Sequence, residues 1–125
     1  MSQDDAFLRL LCVDDNPVLL QMLALGFSTY GFEVVTASHG IEALLQFQAY
    51  HGNFGAVLTD NDMPDMNGVA LLRQLRALGY SGCVLVMSGH LTPSDGQAYQ
   101  DCAVSGFLHK PFDIGMVATM LMRVD

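Results

Sequence analysis

The sequence is short of positive charge. Lys and Arg total 5 against 13 Asp and Glu in 125 residues, a formal net charge of −8. Affinity for a phosphate backbone rests largely on Lys and Arg, so nucleic acid is not an expected partner. There is no uninterrupted apolar run near the length of a membrane span, so no membrane contact is expected. The N-terminus, Met1-Ser2-Gln3-Asp4-Asp5, lacks the basic region of a secretory signal, and a cytoplasmic location is the expectation. Cysteines are few: Cys12, Cys83 and Cys102 are far apart, odd in number and never C-x-x-C, which predicts free thiols. The four histidines are equally scattered, which argues against a zinc cage. Charged residues make up only 14%, but hydrophobic residues make up 51%, so the chain is expected to fold rather than stay disordered. Its length predicts a single domain spanning 1–125.

Apolar runs alternate with helical patterns. Strands are predicted at 7–13, 33–37, 56–59, 83–87 and 106–109. Asn16-Pro17 opens a first helix to about Tyr30, closed by Gly31. A second runs from Ile41 to about Tyr50. A third, capped by Asn67, covers 69–78, with Gly79 after it. A fourth, 92–101, starts weakly because of Pro93 and Gly96. Asp113 caps a fifth that reaches about Val124. Five β-α repeats with short connections predict an α/β fold, a doubly wound parallel sheet with helices on both faces.

In such sheets the site lies beyond the carboxyl ends of the strands, at the topological switch point. Strand one ends in Asp14-Asp15, strand three in Asp60, strand four in Ser88 and strand five in Lys110, the single lysine of the chain. Three carboxylates in one crevice repel each other unless a cation joins them. Mg²⁺ suits a few carboxylates plus phosphate oxygens. Aspartate is an accepted phosphoryl nucleophile, and lysine supplies a compact positive charge.

These residues carry a resemblance. Asp14-Asp15, the loop Asp60-Asn61-Asp62-Met63-Pro64-Asp65-Met66-Asn67-Gly68, Val86-Met87-Ser88-Gly89 and Gly106-Phe107-Leu108-His109-Lys110-Pro111-Phe112 together resemble the receiver domain of two-component response regulators. The resemblance implies a five-stranded flavodoxin-like sheet in the order 2-1-3-4-5. It implies that Asp60 takes a phosphoryl group from a sensor histidine kinase or histidine phosphotransfer protein. Mg²⁺ would be held by Asp14, Asp15, Asp60 and the Asp62 backbone carbonyl. Lys110 would pair with Asp60 and then with the phosphate. Ser88 would move toward the phosphate and Phe107 would swing inward behind it. The Lys110-Pro111 bond would be cis. A domain of this kind catalyses only its own phosphotransfer and dephosphorylation. Gly68 is expected for its backbone conformation.

Some positions depart from the family pattern. Asn61 replaces the usual apolar residue, Thr59 precedes Asp60 where Leu or Ile is common, and Phe107 lacks the hydroxyl of the commoner Tyr. Asp62 and His90 flank the site and either tune hydrolysis or are solvated loop side chains. Asp60-Asn61-Asp62 also fits the D-x-D of haloacid-dehalogenase-type phosphatases, where it follows the first strand rather than the third. A degenerate receiver serving only as a docking module is a further alternative, against which the complete acidic, Ser and Lys set argues.

Helical spacing on helix one turns Leu19, Met22, Leu23, Phe27 and Tyr30 to the sheet and leaves Leu20, Ala24 and Leu25 outside. On the last helix, Ile114, Val117, Leu121 and Val124 face inward, and Met116 and Met120 form a second stripe. Leu20, Leu25, Met116 and Met120 are therefore the expected partner surface, for a downstream protein or a homodimer. Only Arg123 and Asp125 bring charge near that end, and no output domain is expected within the 125 residues.

Overall fold

A computed structural model describes residues 8–122. The element order is β1 (Arg9–Val13), α1 (Pro17–Ser28), β2 (Glu33–Ala37), α2 (Gly40–Ala49), β3 (Ala56–Asp60), α3 (Gly68–Ala77), β4 (Cys83–Ser88), α4 (Pro93–Asp101), β5 (Gly106–His109) and α5 (Ile114–Met122). All strand pairs are parallel, and the sheet runs β2-β1-β3-β4-β5. Phe7, Val124, Arg123 and Asp125, to which sequence expectations were attached, lie outside the described residues. No helix among the described residues is long and apolar enough to cross a membrane.

The three central strands are apolar at nearly every position because both their faces are covered. Leu11, Val13, Val57, Val84 and Val86 meet the residues of α2, α3 and α4 in one core. Leu10, Cys12, Leu58, Leu85 and Met87 meet α1 and α5 in a second. Burial pushes the Cys12 thiol up to about 12, which keeps it protonated. Cys83 and Cys102 are half-buried, and all three are free.

Local chemistry sets the helix starts. Asn16 Oδ1 accepts from the backbone N–H of Val18 and Leu19, with Pro17 in the first turn. Asn67 caps α3 through the Ala70 N–H. The expected weak start of α4 is corrected. Thr92 and Asp95 form a reciprocal capping box with Pro93 in the first turn, so two orphan donors are satisfied and offset the cost of Gly96.

The phase of α1 is also corrected. Leu20 is only 8% exposed and packs in the second core with Leu23 and Phe27, while Met22 and Tyr30 are exposed. Leu25 is 68% exposed, as expected, and Ala24 is half-buried. Almost every position of α1 is apolar, so hydrophobic spacing alone fits more than one rotation. Gln21 and Ser28, seven residues apart and both exposed, mark the outer face together with Val18, Met22 and Leu25. On α5, Val117, Ala118 and Leu121 are buried and Met116 and Met120 are exposed, in the expected phase.

Candidate functional site

The sheet order reverses at β1 and β3, and the polar strand ends converge there. Asp14, just past β1, is 1% exposed. One of its oxygens accepts from the Asn16 N–H at 2.9 Å and the other from Lys110 Nζ at 2.8 Å. The same ammonium donates to Asp60 Oδ1 at 3.0 Å. Lys110 is fixed by its own N–H, which donates to the Ser88 carbonyl, and its bond to Pro111 is cis, as expected. Carboxylate oxygens of Asp14, Asp15 and Asp60 all lie within 4.8 Å of one another, the only such metal-competent group among the described residues.

The charges respond to this crowding. Burial pushes the Asp60 carboxyl above its usual range, the Lys110 hydrogen bond opposes that, and the Asp14 charge adds to it. Burial alone would pull Lys110 down. Its hydrogen bonds and attraction to Asp14 and Asp60 outweigh that, so Lys110 lies above the usual lysine range and stays charged. Oxygen donors clustered at this spacing, with excess negative charge, fit a hard divalent cation of the Mg²⁺ class. Asp15 is exposed and can turn toward such an ion.

Ser88 sits at the rim of the same crevice. Its hydroxyl donates to the His90 carbonyl at 2.9 Å and accepts from the His90 N–H at 3.0 Å. The Asp62 and His90 residues are exposed. Phe107, 38% exposed, projects on the α4 side and meets the Tyr99 ring edge-on, with centroids 5.6 Å apart at 81°. Leu20, Leu25, Met116 and Met120 lie on α1 and α5 and are not part of this cluster.

Several residues of the site carry no periodic signal. Asp65 accepts from the N–H groups of Gly40 and Ile41 at 2.9 and 2.8 Å, and His39 Nδ1 lies 3.2 Å away. The Ile41 donor does most to hold the Asp65 carboxyl below its usual range. The loop after Asp60 is thereby tied to the start of α2, where a Cβ at Gly40 would collide with the Met66 side chain. Thr59 and Asn61 are both buried. Gly68 is corrected too: its φ is not positive, and it is needed for space. A Cβ there would collide with the Tyr99 hydroxyl and lie 2.9 Å from the Asp60 carbonyl oxygen.

The family profile described as the response regulator receiver domain matches residues 10–122. The chain is a response regulator receiver domain. This receiver is 34% identical over 116 residues to the transcriptional regulatory protein PrrA of Mycobacterium tuberculosis, covering 93% of the chain and 48% of PrrA. It is 30% identical over 115 residues to the regulatory protein AtoC of Escherichia coli, covering 92% of the chain and 24% of AtoC. The chain thus spans half or less of these relatives. Among solved structures, the chemotaxis protein CheY4 of Vibrio cholerae superimposes with a TM-score of 0.82 at 28% identity, over 94% of this chain and 98% of that one. The CheX–CheY–BeF3–Mg²⁺ complex of Borrelia burgdorferi gives 0.82 at 25% identity, over 94% and 90%. Phosphoryl acceptance in two-component signalling is the function of this family. The D-x-D phosphatase alternative loses ground, because Asp60 ends the third strand and is paired by Lys110.

Proposed function

We propose that Asp60 accepts a phosphoryl group from a phosphohistidine of a sensor histidine kinase or histidine phosphotransfer protein. The observation that carries this is the Lys110 ammonium bridging Asp14 and Asp60 at 2.8 and 3.0 Å beside a three-carboxylate cluster. Asp14, Asp15, Asp60 and the Asp62 carbonyl would hold Mg²⁺, which supplies charge neutralisation and orientation of the phosphoryl oxygens. A carboxylate oxygen of Asp60 attacks phosphorus in line, the P–N bond breaks, and the imidazole leaves with the bonding electron pair. Lys110 keeps its charge throughout and follows the Asp60 oxygen to the phosphoryl group. Ser88 exchanges its bonds to His90 for a phosphoryl oxygen, and Phe107 moves from the surface into the space behind it. The domain catalyses this transfer and the later hydrolysis on itself alone. The reading carries with it a cytoplasmic site of action.

Incubation with acetyl phosphate should add one phosphoryl group per chain. Uptake should require Mg²⁺, stop with chelator and disappear in Asp60→Asn. Equal labelling of that variant would overturn the assignment.

The partner surfaces extend this reading. Beside Lys110, a cleft of about 300 Å³ is lined by Leu19, Met22, Leu23, Pro111, Phe112 and Ile114. It adjoins α1, which carries no charged residue and exposes Met22 and Leu25. This side suits the approach of a phosphodonor. Met116, 73% exposed, and Met120 line an open groove with Tyr30 and Thr119, and suit a downstream protein or a second copy. Met116→Lys with Met120→Glu should leave labelling intact and abolish self-association or capture by the downstream partner. Unchanged sedimentation and capture would exclude this groove as an interface.

A further inference from the structure

Tyr99 is the largest fully buried side chain among the described residues, and no part of the phosphoryl chemistry uses it. It stands on α4, yet its hydroxyl donates to Asn61 Oδ1 at 2.5 Å. Asn61 directly follows Asp60. Its main chain is pinned on two sides, the N–H donating to the Met87 carbonyl and the carbonyl accepting from the Gly68 N–H. Gly68 has no room for a Cβ because the Tyr99 hydroxyl and the Asp60 carbonyl fill that space. Burial above all, with the charges of Asp95, Asp62 and Asp60, keeps the phenol above its usual range, so it remains a neutral donor. The polar residue at 61 and the buried hydroxyl at 99 therefore account for each other.

The Tyr99 ring also meets Phe107, in an edge-on contact. Phe107 lies across from Val86 in the sheet, and Val86 precedes Ser88 by two residues on the same face. The segment leading into α4 is engaged by Ser88 through His90, and the helix is engaged near its end by Asn61 through Tyr99. Two contacts thus join α4 to the site, and one of them also touches the switch aromatic.

We propose that Tyr99 is a positioning residue that couples the Asp60 loop to Phe107. Its bond to Asn61 favours the conformer seen here, with Ser88 turned onto His90 and Phe107 at the surface. The inference rests on the Ser88–Phe107 switch of the proposed function. A shared two-state element that both sites bias is what coupling requires physically. Linkage then fixes the sign. Removing the hydroxyl weakens the surface conformer, so any ligand that prefers the inward conformer binds more tightly, by the same factor.

The test uses Tyr99→Phe, which keeps the ring and its packing. Beryllofluoride with Mg²⁺ serves as probe, and 4-fluorophenylalanine at position 107 reports the ring by fluorine NMR. The variant should bind beryllofluoride about fivefold more tightly, the equilibrium equivalent of one ordinary hydrogen bond. Its inward ring population before the probe is added should rise by the same factor. Asn61→Ala should shift the ring signal in the same direction, and the double variant should add nothing further. A hydroxyl with a merely structural role would leave the affinity unchanged or weaken it, and either result would overturn the proposal. Absence of Mg²⁺-dependent beryllofluoride binding in the unaltered chain would instead overturn the phosphoacceptor reading, and the coupling with it.

Discussion

Lys110→Ala should lower the melting temperature by about 8 °C at neutral pH, corresponding to roughly 2 kcal/mol in a domain of this size. The cause is the pair of carboxylates left behind. Asp14 is almost fully buried and Asp60 half-buried, and the ammonium is the only cation bonded to either among the described residues. Breaking a fully buried pair typically costs about 3–5 kcal/mol, and the smaller figure reflects a lysine that still reaches solvent. The loss should depend on pH. The raised Asp60 carboxyl gives a contribution that is present at low pH and lost as pH rises through its native value. Without Lys110 that value rises further, so the deficit should be greatest at neutral pH and shrink on acidification as Asp60 takes up its proton. Mg²⁺ should raise the melting temperature of Lys110→Ala more than that of the unaltered chain. Thermal melts at pH 4 and 7, with Mg²⁺ and with chelator, check all of this. A deficit that grows on acidification would contradict it.

Arg76→Ala should cost about 3 kcal/mol in denaturant unfolding while leaving phosphoryl uptake unchanged. Arg76 is half-buried on α3 and has no carboxylate within salt-bridge distance among the described residues. Its guanidinium donates instead to the carbonyls of Tyr80, Gly82 and Ala103 at 2.8, 2.8 and 2.6 Å, with a longer contact to Cys102. These carbonyls belong to the turn before β4 and the C-terminal end of α4, so one side chain satisfies two chain segments that lack other donors. Arg76→Lys should recover little, since a point charge on a flexible stem cannot span that fork. A loss below about 1 kcal/mol for Arg76→Ala would show that water replaces the guanidinium readily. The site is remote because these carbonyls lie at the opposite, amino-terminal edge of the strands.

How far the residues announced the structure depends on the kind of signal each carries. Asp14, Asp60, Ser88 and Lys110 were legible because a parallel sheet brings strand ends together wherever the sequence places them. The strands were legible because both faces of β1, β3 and β4 are buried and leave unbroken apolar runs. The rotation of α1 was not, since a helix apolar on nearly every side gives no contrast. There the two polar residues, Gln21 and Ser28, mattered more than the eight or so apolar ones around them. Tyr99 and Asn61 are 38 residues apart and each looks ordinary alone. Their relation exists only once α4 is laid beside the Asp60 loop. Arg76 likewise meets carbonyls of the main chain, and backbone partners leave no trace in side-chain identity. The capping box of α4 is written in Thr92 and Asp95, three residues apart, and its two hydrogen bonds outweigh the low helix propensity of Gly96.

The most direct test of the account is to locate the phosphoryl group chemically. The chain is charged with acetyl phosphate and Mg²⁺, the acyl phosphate is reduced with borohydride, and the resulting homoserine is mapped by peptide mass spectrometry. The account predicts homoserine at position 60 and nowhere else. Homoserine at position 14, 15 or 62, or stable phosphate on a histidine or serine, would contradict it.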